Sequence, residues 1–97
     1  MAKRAVGISW YKPEDYDRMK RMFKDGFRLP DTFEEWLDRA ENAAAQLTAD
    51  GYVVIRAPLD PETFPKWCRD HGLEMTTETR SIYSGEYAAN NYFGEIQ

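Results

Sequence analysis

Residues 32–59 read TFEEWLDRAENAAAQLTADGYVVIRAPL, and the pattern of this stretch decides the fold. Phe33, Trp36, Leu37, Ala40, Ala44 and Leu47 recur at helical spacing and make a single apolar stripe. Thr32, with Glu35 three residues on, is a capping-box pattern that starts the helix. Gly51 stands where a left-handed stop is expected, and Tyr52–Ala57, opening Tyr-Val-Val-Ile, follows at once as a strand. A long amphipathic helix running directly into an apolar strand belongs to a mixed α and β domain.

Toward the N-terminus, Val6, Ile8 and Trp10 alternate with Gly7 and Ser9 across Ala5–Tyr11, the pattern of a half-buried strand. Pro13 then suits the first position of a helix, with Glu14 and Asp15 in its first turn. Tyr16, Met19, Met22 and Phe23 give that helix its apolar face, and Gly26 is the expected stop. Pro30 keeps Leu29 extended in the short link to the second helix. So short a link makes the two helices near neighbours, in the manner of an antiparallel hairpin, with the basic first helix beside the acidic second.

Toward the C-terminus, Asp60 caps a third helix, Pro61 takes its first position, and Leu59 can staple against Phe64. Pro65 conflicts with that frame unless the regular helix begins near Thr63. Phe64, Trp67, Cys68 and His71 form its apolar face, and Gly72 ends it. Thr76 or Thr77 caps a fourth helix that runs to about Asn90, with Gly85 counting against it. The tail at 91–97 fits no element, although its aromatics suggest that it docks. The expectation is one α+β domain over 1–97, a small two-stranded sheet covered by about four helices in the order β-α-α-β-α-α. Two strands are poorly stable alone, so the sheet must be covered or extended by a second copy in a dimer. The pattern leaves open whether the strands pair within one chain or between chains.

The bulk composition supports a real core, with 42% hydrophobic and 14% aromatic residues in 97. Charge divides unevenly around a net of −4. Residues 1–30 hold eight Lys/Arg against four Asp/Glu, residues 31–50 one against six, and residues 51–97 four against seven. An acidic total argues against nucleic acid as the main partner. A single cysteine excludes an internal disulfide and points to a reducing, cytoplasmic setting. The uncharged run Ala5–Tyr11 is too short to span a membrane.

Candidate chemistry is sparse. Cys68 and His71 lie three apart on one helix, the spacing of a thiol activated by an imidazole. Without an orienting third group the pair reads better as a buried small hydrophobe and a helix-end histidine. One Cys and one His make a weak start for a zinc site, and no glycine-rich phosphate loop is present. No cofactor is expected. The basic residues Lys3, Arg4, Lys12, Arg18, Lys20, Arg21, Lys24 and Arg28, with Trp10, Tyr11 and Phe27 among them, could contact phosphates and stack on bases. The alternative is a solvated face paired with the acidic second helix. Phe64–Asn90 invites a helix-turn-helix reading, but Arg80 is the sole base on the would-be recognition helix.

Three stretches are familiar together: Trp10-Tyr11 with Asp15-Tyr16; Leu29-Pro30-Asp31-Thr32-Phe33-Glu34-Glu35-Trp36-Leu37; and Pro61–Leu73 with Phe64, Trp67-Cys68 and Gly72-Leu73. They resemble a family of short, uncharacterised bacterial proteins of about this length, over most of the chain. The resemblance implies a bacterial cytosolic origin and carries over no functional residue.

These readings converge on a small non-enzymatic interaction or accessory protein. Its expected surface combines Arg18, Arg21, Lys24 and Arg28 of the first helix and its link with Tyr83, Tyr87, Tyr92 and Phe93 at the C-terminal end. A protein partner or a homodimer is expected, and no membrane. Nucleic-acid association through the basic third is the first alternative, and thiol chemistry at Cys68 and His71 the second.

Overall fold

The computed structural model describes residues 4–92, so Lys3, Phe93 and the rest of the tail lie outside the described residues. The elements are β1 (Ala5–Trp10), α1 (Tyr16–Met22), a 3-10 turn (Gly26–Arg28), α2 (Phe33–Ala49), β2 (Val53–Pro58), α3 (Thr63–Asp70) and α4 (Thr77–Asn91). The class and order are those expected, α+β and β-α-α-β-α-α.

The strands pair within the chain and in parallel, from Ala5 opposite Val53 to Trp10 opposite Pro58. A parallel pair needs a long crossover, which α1, the 3-10 turn and α2 supply. Trp10 meets Trp36 of α2 edge-on at 5.2 Å, so Val6 and Ile8 share the α2 side by alternation. Gly7 and Ser9 face α4. A Cβ on Gly7 would overlap the Ser84 carbonyl, and the Ser9 hydroxyl is hydrogen-bonded to that of Ser84. Five of the six β1 residues are half-buried and Ser9 is buried, so the face opposite Val6 and Ile8 is covered as well. This small-residue face is closed by a helix that sits nearer than any larger side chain allows.

The core is aromatic. Tyr11 meets Tyr16 at 5.5 Å and Trp36 at 4.9 Å, both edge-on, and Met19 and Phe64 have no exposed surface. Local signals set most element ends. Thr32 Oγ1 accepts the Glu35 N–H at 3.1 Å, and Thr76 Oγ1 the Thr79 N–H at 3.1 Å. Asp60 Oδ1 accepts from the Glu62 and Thr63 backbones at 2.6 and 3.2 Å. Gly51 and Gly72 close α2 and α3 at φ +97° and +65°. Pro65 is the third residue of α3, which begins at Thr63, and the Phe64 N–H just ahead of it donates to the Asp60 carbonyl at 2.9 Å.

Four expectations are corrected. The first helix starts at Tyr16, because Lys12–Asp15 closes a tight turn through Asp15 N–H to the Lys12 carbonyl at 3.0 Å. It ends before Gly26, because Phe23 turns into the core with extended backbone and Lys24 N–H donates to the Met75 carbonyl at 2.9 Å. Strand β2 runs Val53–Pro58, one residue beyond the expected frame. The expected pairing of α1 with the acidic face of α2 is also absent among the described residues. Arg18 pairs with Glu62 at 3.2 Å, Lys24 with Glu74 at 2.5 Å, and Lys20 with Asp31, just ahead of α2, at 3.8 Å.

Candidate functional site

The outer edge of β1 forms the floor of a cleft of about 350 Å³. Gly7, Ile8 and Ser9 line it from β1, Trp36, Arg39 and Ala40 from α2, and Arg80, Ser81 and Ser84 from α4, with Arg28–Pro30 at one end. No β2 residue reaches it. Because α2 and α4 cover opposite faces of the sheet, a cleft touching both and β1 alone lies on the free edge of β1.

In a parallel ladder, alternate residues turn both backbone groups toward the same neighbour. The Arg4 and Trp10 carbonyls accept from Val53 and Leu59 at 2.8 and 2.9 Å, so Ala5, Gly7 and Ser9 point their N–H and C=O groups outward. Among the described residues nothing bonds them. The outer edge of β2 is blunted instead. Pro58 has no N–H, its carbonyl accepts the Tyr83 hydroxyl at 3.2 Å, and Arg56 lies over the Trp10 ring at 4.0 Å. By the same alternation Val54 and Arg56 turn their backbone groups outward on β2. That edge is interrupted at Pro58, while the β1 edge faces the cleft.

Three arginines rim the β1 edge, and among the described residues no acidic one lines the cleft. Arg28 and Arg39 are exposed; Arg80 is half-buried and donates to the Tyr11 hydroxyl at 3.2 Å. None of the three enters an ion pair among the described residues. Asp25 feels the Arg28 charge, but its carboxylate is held by Thr77. Burial pushes the Tyr11 phenol above its ordinary value, with Arg80 partly offsetting this, so it stays a neutral acceptor beside the guanidinium. Like charges around a walled cleft focus positive potential on it.

The residues expected to form a site are distributed differently. Arg18 and Lys24 brace α1 against Glu62 and Glu74, and only Arg28 of that group reaches the cleft. Arg21 lines a second, shallower hollow with Lys20, Lys24 and Phe27, a residue 80% exposed. Tyr83 is half-buried against Phe64 and Trp67, and Tyr87 lies 6.3 Å from it; Tyr92, also half-buried, ends α4. Arg39 was missed, and Arg80 was weighed only as a base on a would-be recognition helix. Their one sequence signal is isolation, each a lone base in an acidic segment.

Cys68 and His71 do not form a couple. Cys68 is buried, and burial raises its thiol pKa despite the opposing Arg69 charge. His71 leaves the apolar face expected of it. It is exposed at the end of α3, stacks on Trp67 at 4.1 Å, and has Nδ1 2.8 Å from the Trp67 carbonyl and Nε2 3.8 Å from Glu86. Both ring nitrogens are thus turned to other partners. Among the described residues no group of three or more His, Cys, Asp or Glu is placed to hold a metal, and no helix is long and apolar enough to cross a membrane.

Fold and cleft together define a small α+β domain with one open, arginine-rimmed sheet edge. The chain belongs to the family described as domain of unknown function DUF8829, which it matches over residues 3–94. No curated protein and no solved structure matches it.

Proposed function

We propose that this chain is a small non-enzymatic interaction protein that takes an extended segment of another protein as an added strand on β1. The observation that carries this is the outward row of N–H and C=O groups at Gly7 and Ser9, unbonded among the described residues, on the floor of a cleft between two helices. Strand addition draws affinity from such main-chain bonds, with alternate side chains giving specificity. Selection from a displayed peptide library tests it. Binders should protect the Gly7 and Ser9 amides from hydrogen exchange and lose affinity when alternate peptide nitrogens are methylated. Binders that leave both amides unchanged and tolerate methylation would overturn the proposal.

A second reading is favoured by Phe27, an exposed aromatic residue in a hollow lined by Lys20, Arg21 and Lys24 together with Asp17 and Asp31. Such a set suits stacking and phosphate contact with single-stranded nucleic acid. Binding of an oligonucleotide that falls steeply with salt and is lost in Phe27→Ala would support it; the absence of binding at low salt would end it.

A further inference from the structure

We infer that the segment added to β1 is acidic and carries two adjacent carboxylates, one for Arg39 and one for Arg80; this rests on the strand-addition reading above. Successive side chains of a strand point to opposite faces of the sheet. A strand laid on the β1 edge therefore turns one residue toward α2, where Arg39 stands, and the next toward α4, where Arg80 stands. Arg28, beyond the link to α2, closes one end and faces a third position or a chain-terminal carboxylate. The guanidinium fork matches a carboxylate through two parallel hydrogen bonds, and among the described residues no carboxylate lines the cleft to compete for it.

The same charges argue against a second copy as the occupant. Two β1 edges meeting about a two-fold axis would set one copy's three arginines against the other's, a like-charge arrangement that disfavours the pairing. The β2 edge, with Pro58 and Arg56, is no better suited to self-pairing. An acidic segment satisfies the cleft; a neutral or basic one leaves its charges unmet.

Fluorescence anisotropy with the intact protein tests this, using six-residue peptides with Glu-Glu, Gln-Gln or Lys-Lys between Val-Thr flanks. The Glu-Glu peptide is expected to bind on the order of tenfold or more tighter than Gln-Gln, with Lys-Lys weakest. Arg39→Gln, an exposed change without a folded partner, should weaken Glu-Glu about tenfold and leave Gln-Gln unaffected. Arg39→Glu should restore binding to a peptide with Lys in place of the glutamate on the α2 side. Equal binding of Glu-Glu and Gln-Gln, with the Gly7 and Ser9 amides still protected, overturns the acidic segment and leaves strand addition standing. Binding that leaves those amides unprotected overturns both. Inorganic phosphate that displaces the peptide at equal concentration overturns the inference in favour of a small-anion site.

Discussion

Asp25 holds the first turn of α4 from 52 residues upstream: Oδ1 accepts the Thr77 N–H at 3.0 Å and Oδ2 the Thr77 hydroxyl at 2.6 Å. With Lys24 bonded to the Met75 carbonyl and paired with Glu74, this clamp fixes where α4 begins. The placement of Arg80 over the cleft follows from it.

The Thr77 hydrogen bonds hold the Asp25 carboxyl below its ordinary value. A lowered folded-state pKa contributes stability above the unfolded value of about 3.9 that is lost as pH falls through the folded value. Acid titration of the melting temperature should therefore show a loss below about pH 4 that Asp25→Asn reduces. An unchanged acid limb in that variant would remove Asp25 from the account.

Gly7 has no room for a side chain, because a Cβ would meet the rigid backbone carbonyl of Ser84. Gly7→Ala should push α4 off the sheet and destabilise the fold by about 1–3 kcal/mol in chemical denaturation. The Ser9–Ser84 contact should loosen with it, read as faster exchange of amides along α4.

Gly85 is the opposite case. It lies mid-helix in α4, exposed, with open space where a Cβ would stand. Gly85→Ala should raise stability by about 0.5–1 kcal/mol through the lower backbone entropy of the unfolded chain. A loss instead would contradict the open space beside Gly85.

Burial, first among its causes, pushes the Tyr16 hydroxyl up to about 12, and raises Tyr11 and Tyr83 as well. The Tyr16 hydroxyl donates to the Pro30 carbonyl at 2.5 Å. Raised folded-state values give stability that is complete below the ordinary tyrosine value of about 10 and declines as pH rises toward the folded one. The tyrosinate absorbance of Tyr11, Tyr16 and Tyr83 should rise late and together with loss of near-UV circular dichroism. Ionisation of all six tyrosines near pH 10 in a folded protein would contradict the packing.

The Cys68 thiol should resist alkylation in the native protein and react once denaturant is added, since burial both shields it and raises its pKa. Rapid native alkylation at neutral pH would return thiol chemistry to consideration.

The sequence by itself determined the elements and most of their ends, because these depend on residues within a few positions of one another. Thr32, Thr76 and Asp60 cap, Gly51 and Gly72 stop, and the Trp36–Leu47 stripe marks the buried face of α2. Only the tertiary structure decided that the Gly7 and Ser9 face is covered and that Arg18 of α1 and Lys24 just past its end turn to Glu62 and Glu74. It alone brought Arg28, Arg39 and Arg80 from three elements around one open edge. Those outcomes follow from the parallel sense of the β1–β2 pair and the seating of α2 and α4 on opposite faces. Such long-range packing joins residues tens of positions apart, and local periodicity does not encode it.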